Sequence, residues 1–212
     1  MSDSKQPGLG DAYALSGAED ARRLYADWAD TYDAAFAEAN DYRPPEVVAR
    51  LFAEAGGTGP VLDAGAGTGL GGVALAAHGI GPVDAVDLSP EMLAVAERKR
   101  VYRALVEGDI LAGLPIADGA YAGVVSAGTF TLGHVGPAGF DELLRVAAPG
   151  ALLVISVNAR AFESDGFAAK MAALAPAIED LATVEEPIYG PGATGAHAGD
   201  TARVLSFRKR PG

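Results

Sequence analysis

The sequence predicts an α/β fold in which helices cover both faces of a mostly parallel sheet. From Pro60 onward, short apolar runs alternate with helical stretches, which is the order expected of parallel strands joined by crossover helices. A glycine-dense turn follows the first apolar run, and an acidic residue closes the second. These observations also predict a ligand site, because ligands of open α/β sheets bind outside the carboxyl ends of the strands.

The predicted elements of this region are short and closely spaced. Strands are predicted at 60–64, 82–86, 104–107, 121–126 and 151–157, and helices at 70–78, 90–99 and 138–147. The pattern then changes. A helix is predicted around Phe167 and Leu174, followed by strands near 179–189 and 203–208. The segment 190–200 is too long for a tight hairpin turn, so we expect a loop that is either functional or mobile.

The first part of the chain divides into an arm and two helices. Residues 1–17 contain scattered glycine and proline without periodicity, which predicts a flexible arm. Residues 18–212 are expected to form a single domain, in which about 19–56 form an N-terminal helical lid. The second helix of this lid begins after Pro45 and ends at Gly56.

An aromatic stripe follows the first helix. Tyr25, Trp28, Tyr32 and Phe36 are spaced by three, four and four residues, which places them on one helical face. Such a stripe usually packs against a core. Tyrosine and tryptophan also have polar tips, so the stripe could instead close a cofactor cleft. Both interpretations stay open, and Tyr32 is predicted to take part in cofactor binding and in catalysis.

Composition excludes several classes of function. The absence of cysteine excludes disulfides, thiolate zinc sites and a thiol nucleophile. The net charge of −12 and the lack of a long basic block disfavour nucleic acid as a partner. The chain begins without an apolar run and contains no apolar stretch of about 18 residues, so we expect a cytoplasmic protein without signal peptide or membrane span.

The glycine-dense turn predicts close contact with a charged ligand. Glycines at 65, 67 and 69 permit positive φ and leave no Cβ between the main chain and a ligand. The helix that follows begins with unpaired N–H groups, which suit a carboxylate or a phosphate. Asp63, just before the turn, suits an ammonium group on the same ligand.

Asp87 closes the second apolar run, 22 residues after Gly65. An acidic side chain at this distance can accept hydrogen bonds from both ribose hydroxyls of an adenosine. The turn and Asp87 therefore predict a nucleotide-type cofactor, with an ordinary βαβ unit as the alternative. Residues 67–72 also satisfy G-x-G-x-x-G, which keeps a nicotinamide-dependent oxidoreductase open, although this frame begins two residues late relative to the strand.

These residues resemble a known family, the class I S-adenosylmethionine-dependent methyltransferases. The resemblance covers roughly residues 20–208. Its motifs are similar, in order, to segments 63–69, 86–92, 107–111, 114–116 and 144–150. The resemblance implies a three-layer, Rossmann-like, seven-stranded and mostly parallel sheet with an antiparallel last strand. Segments 32–45 and 134–143 are similar, more particularly, to the Williams–Beuren-region methyltransferase-like subgroup.

The resemblance also implies roles for individual residues. Asp63 would hold the ammonium group of S-adenosylmethionine, and Asp87 would accept from its ribose hydroxyls. The floor of the site would contain Ser126 or Ala127. The implied cofactor-binding residues are Tyr32, Asp63, Gly65, Ala66, Gly67, Asp87, Leu88, Met92, Asp109, Ile110 and Ser126.

His134 is the candidate for acid–base work. It lies on the segment that leaves the carboxyl end of the fourth strand, and with an unperturbed pKa of about 6.5 it could take a proton from an acceptor near neutral pH. A helix cap or a solvated side chain is the alternative. The sequence therefore predicts an S-adenosylmethionine-dependent methyltransferase that acts on a small-molecule acceptor, needs no metal and is a monomer or homodimer. The alternatives are a nicotinamide-dependent oxidoreductase and a non-catalytic S-adenosylmethionine-binding module.

Overall fold

The computed structural model describes residues 18–211, and its middle layer is a seven-stranded sheet. The strands are β1 (Val61–Ala64), β2 (Val83–Asp87), β3 (Ala104–Glu107), β4 (Tyr121–Phe130), β5 (Ala147–Asn158), β6 (Ile178–Pro187) and β7 (Thr201–Lys209). The helices are α1 (Ala18–Trp28), α2 (Pro44–Glu54), α3 (Leu70–Ala77), α4 (Pro90–Lys99), α5 (Gly139–Val146), α6 (Ala159–Ser164) and α7 (Phe167–Leu174), with a π-helical segment at Asp33–Glu38. The predicted arm at 1–17 lies outside the described residues.

The order of the strands in the sheet is β3-β2-β1-β4-β5-β7-β6. β1 to β5 are parallel, whereas β7 is antiparallel to both of its neighbours. This confirms the predicted fold class, including the antiparallel last strand. The strand order reverses direction between β1 and β4, and such a switch point opens a crevice at the carboxyl ends of the strands.

Two hydrophobic clusters cover the sheet. Leu153 and Ile155 belong to one cluster, while Leu152 and Val154, which alternate with them along β5, belong to the other. Because successive side chains of a strand point to opposite faces, the clusters lie on opposite faces of the sheet. The central strands therefore form a buried layer, as the uninterrupted apolar sequence of β5 predicts, whereas the edge strands β3 and β6 are largely exposed.

Local sequence signals account for several element boundaries. Ser89 Oγ accepts a hydrogen bond from the Met92 N–H at 3.2 Å, and Pro90 occupies the first turn of α4. The Asn158 side chain accepts from the Arg160 N–H at 2.9 Å at the start of α6. Helix α6 was not predicted from the sequence.

Three boundaries differ from the sequence-based expectations. The aromatic stripe does not follow one helix, because α1 ends at Trp28 and the π-helical segment begins at Asp33. β4 continues to Phe130 and β5 begins at Ala147, so both are longer than predicted.

Within residues 18–211, no helix combines the length and apolar character that crossing a membrane requires.

Candidate functional site

A cavity of about 240 Å³ lies at the switch point, where the segments that follow β1, β2 and β3 meet β4. Its walls include nearly all of the predicted site residues: Tyr32, Asp63, Gly65, Ala66, Gly67, Asp87, Leu88, Met92, Asp109, Ile110 and His134. Residues that are far apart in the sequence are thus brought to one place.

Ser126 is the predicted residue that does not line this cavity. Its side chain is fully buried, and its Oγ donates a hydrogen bond to the Ala64 carbonyl at 2.6 Å. Ala127, the alternative for this position, lines the cavity instead. Because neighbouring side chains of a strand point in opposite directions, only one of the two can face the ligand.

The glycine turn exposes its main chain to the cavity. The N–H groups of Gly65 and Ala66 both donate to the Val86 carbonyl, at 2.8 and 3.0 Å, which ties the turn to the end of β2. Gly67 has a φ of 54°, in the left-handed region, and apart from its two chain neighbours no atom of residues 18–211 lies within 4 Å of where its Cβ would be. At Gly65 a Cβ would lie 2.0 Å from Thr129 Oγ1. A ligand can therefore lie directly against the main chain at Gly67, whereas Gly65 is required by the close approach of Thr129.

Asp63 is a buried carboxylate held by a residue that the sequence analysis did not identify. The Tyr102 hydroxyl donates to Asp63 Oδ2 at 2.7 Å and accepts from the Gly72 N–H at 2.9 Å. Burial raises the pKa of Asp63 to about 6, although the hydrogen bond from Tyr102 lowers it. Tyr102 lies between α4 and β3 and belongs to no motif, so no sequence signal points to it.

Asp87 is held by main-chain N–H groups. Gly67 donates to its Oδ2 at 2.7 Å and Ser89 donates to its Oδ1 at 2.9 Å. Burial raises the pKa of Asp87, and these hydrogen bonds oppose that effect. In the part of the chain that the structure describes, neither Asp63 nor Asp87 forms an ion pair with a lysine, arginine or histidine. Two carboxylates that lack an ion-pair partner and line one cavity fit a ligand that carries positive charge and hydroxyl donors.

His134 and Tyr25 contact each other in the wall of the cavity. The distance from the Tyr25 hydroxyl to His134 Nε2 is 2.9 Å, and His134 Nδ1 lies 2.9 Å from the Leu132 carbonyl oxygen. Because a carbonyl only accepts, Nδ1 carries the hydrogen and Nε2 accepts from Tyr25. Burial lowers the pKa of His134, which keeps the imidazole neutral at neutral pH.

A polar contact ties the N-terminal helical segment (residues 18–54) to the glycine turn. Lys99 Nζ contacts Asp33 Oδ2 at 2.5 Å and the Thr68 carbonyl at 2.6 Å. The Thr68 hydroxyl also donates to Asp33 Oδ1 at 2.5 Å. This contact is called the Asp33 clasp below. Both of its charged side chains are less than one third exposed.

A second, smaller cavity of about 60 Å³ adjoins the first. Its walls are rich in aromatic rings: Tyr25, Trp28, Tyr32, Phe36, Tyr42, Phe130 and Tyr189. The Trp28 indole Nε1 is the one buried side-chain nitrogen or oxygen atom of the described residues that has no hydrogen-bond partner. All four residues of the aromatic stripe line this smaller cavity, and Tyr25 and Tyr32 also line the larger one, so the same stripe both packs and lines a cavity.

Comparison with known proteins supports the resemblance to class I methyltransferases. Residues 61–150 match a family model described as a methyltransferase domain. A demethylmenaquinone methyltransferase from Beutenbergia cavernae is 42% identical over 98 residues, which are 45% of this chain and 39% of that enzyme. The chain thus aligns with about two fifths of the curated relative.

Solved structures share the fold. A TehB-like S-adenosylmethionine-dependent methyltransferase from Corynebacterium glutamicum superposes with a TM-score of 0.63 at 22% identity, over 89% of this chain and 99% of that one. The [4+2]-cyclase SpnF superposes with a TM-score of 0.66 at 16% identity, over 93% and 98%. At these identities the similarity establishes the class I methyltransferase fold and not the reaction.

Proposed function

We propose that this protein is an S-adenosylmethionine-dependent methyltransferase that acts on a small-molecule acceptor. The observation that carries the proposal is a pair of carboxylates, the buried Asp63 and the partly buried Asp87, that flank an open glycine turn at the switch point of the sheet. The match of residues 61–150 to a methyltransferase domain supports it, because both carboxylates and the turn lie in the matched segment.

The residues of the larger cavity suit the different parts of this cofactor. Asp63 would accept from its ammonium group, Asp87 from its ribose hydroxyls, and Asp109 from its adenine amino group. Gly67 leaves the main chain open beside the methionine part. When bound, S-adenosylmethionine supplies an electrophilic methyl carbon whose bond to sulfur breaks, with its electron pair left on sulfur, as the acceptor atom bonds to that carbon.

The protein contributes position, exclusion of water and a proton acceptor. Burial keeps His134 neutral, and the bond from its Nδ1–H to the Leu132 carbonyl leaves Nε2 as the acceptor nitrogen, in contact with the Tyr25 hydroxyl. His134 Nε2 can take the proton of an acceptor hydroxyl or amine, either after Tyr25 is displaced or through the Tyr25 hydroxyl. Tyr32 lines both cavities, which suits its predicted part in binding and catalysis.

Two features support a small acceptor. The N-terminal helical segment contributes walls to both cavities, so a bulky macromolecular acceptor would meet it first. The curated relative is named for demethylmenaquinone, a small molecule. The narrower resemblance to the Williams–Beuren-region subgroup rests on segments 32–45 and 134–143 and stays a prediction.

The oxidoreductase alternative is electrostatically disfavoured. A dinucleotide would place a pyrophosphate beside the glycine turn, where Asp63 is a buried acidic group without a paired cation among the described residues. The non-catalytic binding module keeps the same cofactor site and differs only in lacking turnover. The two alternatives therefore require different tests.

Calorimetric titration with S-adenosylmethionine, S-adenosylhomocysteine and NAD tests the cofactor. We expect 1:1 binding of the first two and no saturable binding of NAD. Methyl release from S-adenosylmethionine, followed over a panel of small hydroxyl and amine compounds, then tests turnover. Binding of NAD alone would overturn the proposal, and cofactor binding without turnover on any acceptor would favour the binding module.

A further inference from the structure

We propose that the smaller cavity binds the methyl acceptor as an uncharged, hydroxylated aromatic ring of the phenol class. This inference rests on the proposed function, because it names the substrate of the same site. Four observations support it: the position of the cavity, the lack of charge in its walls, an unpartnered N–H group and a neutral histidine.

The position of the cavity places a ligand beside the cofactor site. Tyr25, Tyr32, Tyr42, Gly128 and His134 line both cavities. A molecule in the smaller cavity therefore lies next to the larger one. A single buried water needs a cavity volume of roughly 10–15 Å³. At about 60 Å³ the smaller cavity accommodates one small ring.

The walls of the smaller cavity carry no formal charge. None of the described residues that line it is an aspartate, glutamate, lysine or arginine. Asp63 and Asp87 line only the larger cavity. A charged acceptor would lose its water without gaining an opposite charge, which is unfavourable. An uncharged ring would gain contact with the aromatic walls.

Cation–π binding of an ammonium group is less well supported. It needs a ring face open to the ligand. Trp28 is stacked on Tyr25, with ring centroids 6.2 Å apart, and is met edge-on by Tyr32 and Phe36 at 5.1 Å each. The aromatic rings therefore already pack against one another, and an ammonium compound becomes one of the probes of the test.

Trp28 provides the unpartnered group. Its side chain is 2% exposed and lines the cavity, and its Nε1–H lacks a partner among the described residues. A buried donor without an acceptor is destabilising, so a ligand oxygen that accepts from it is favoured. His134 Nε2, in the same cavity, accepts a hydrogen bond. A phenolic hydroxyl that displaces Tyr25 from Nε2 suits both groups, since its oxygen can accept from Trp28 and its hydrogen can be donated to His134.

Trp28 also provides the readout, because it is the only tryptophan of the chain. The full-length protein is titrated with phenol, benzoate and benzylamine, with and without S-adenosylhomocysteine, and tryptophan emission and calorimetry are recorded. We expect saturable 1:1 binding of phenol, with benzoate and benzylamine at least tenfold weaker. Equal or tighter binding of either charged probe, or no saturable binding of phenol, would overturn the inference.

Two variants locate the binding site. Trp28→Phe keeps an aromatic ring and removes the N–H, so calorimetry should show an affinity for phenol lowered by about 3- to 10-fold. Tyr121→Phe is the matched control, because it removes a buried hydroxyl that donates to Asp84 outside both cavities, and it should leave phenol binding unchanged. Unchanged phenol binding in folded Trp28→Phe would contradict the assignment.

Binding of S-adenosylhomocysteine separates the two proposals. If it binds wild-type protein and phenol does not, the acceptor class is wrong and the proposed function stands. If it does not bind, the proposed function is itself wrong. It should also bind Trp28→Phe within about twofold of wild type, which shows that this variant is folded.

Discussion

At the scale of single residues, Asp87 combines a structural and a ligand-binding role. Its carboxylate accepts from Gly67 and Ser89, which fixes the glycine turn against the start of α4. Asp87→Asn keeps one oxygen for this task but removes the charge. Because a charged hydrogen bond contributes roughly 1.5–3 kcal/mol, calorimetry should show cofactor affinity lowered by about 10- to 100-fold.

The control for Asp87→Asn lies on the same strand. Asp84 is also buried, but it pairs with Arg103 and Tyr121 away from the cavities. Asp84→Asn should lower the melting temperature and leave cofactor affinity unchanged in the folded protein. Unchanged affinity in folded Asp87→Asn would remove Asp87 from the site.

Asp63 predicts a pH dependence of cofactor binding. Its raised pKa of about 6 means that the folded protein holds a proton there below pH 6, and an ammonium group must displace that proton. Affinity for S-adenosylhomocysteine should therefore rise from about pH 5 to pH 7, by up to tenfold for each pH unit below the pKa. In Asp63→Asn, affinity should rise less steeply with pH, because only the titration of Asp87 would still contribute to the pH dependence.

Tyr102 gives the complementary variant. Its hydroxyl lowers the pKa of Asp63, so Tyr102→Phe should move the midpoint of the pH profile to a higher value. A midpoint that stays in place, measured by the same titrations, would mean that Asp63 does not control the pH dependence.

At the scale of elements, the N-terminal helical segment is predicted to act as a lid. It contributes Tyr25 and Tyr32 to the cavity walls and is attached to the glycine turn by the Asp33 clasp. A ligand in the cavity would contact these side chains and stabilise their arrangement. Amide hydrogen exchange over residues 19–36 should therefore slow when S-adenosylmethionine is added, while exchange in β5 stays constant.

Two variants distinguish the contribution of the Asp33 clasp from that of an exposed ion pair. Asp33→Asn removes a partly buried ion pair and should speed exchange over 19–36 by about 3- to 10-fold in the ligand-free protein. Asp30→Asn removes the exposed pair with Arg98 on the same segment and should change exchange less than about twofold. Equal effects of the two variants on exchange would mean that the Asp33 clasp contributes no more than an exposed surface ion pair.

At the scale of the whole molecule, the cofactor site joins the ends of separate strands. The cavity is lined from β1, β2 and β4 and from the N-terminal helical segment, so a bound ligand links parts that must separate on unfolding. At a ligand concentration of 100 times Kd, the folded state gains about 2.7 kcal/mol. Scanning calorimetry should therefore show a melting temperature raised by roughly 5–10 °C. NAD at the same concentration should leave it unchanged, and a rise with NAD alone would point to the oxidoreductase.

The sequence by itself determined the features that depend on near neighbours. The alternation of strands and helices, the glycine turn and the Ser89 cap of α4 follow from local periodicity, backbone freedom and short-range hydrogen bonds. The distance from Gly65 to Asp87 is informative because one βαβ unit has a nearly fixed length. Most of the predicted cofactor residues therefore lie together in the structure.

Only the tertiary structure decided which distant side chains meet. Tyr102 reaches Asp63 across 39 positions of sequence, Lys99 reaches Asp33 across 66, and Tyr25 reaches His134 across 109. Each pairing depends on how whole elements pack, because a helix can be rotated or shifted without any change in its own periodicity. The unpartnered Nε1–H of Trp28 and the neutral state of His134 likewise depend on burial. Burial is set by the packing of the whole molecule and is not specified by any local sequence pattern.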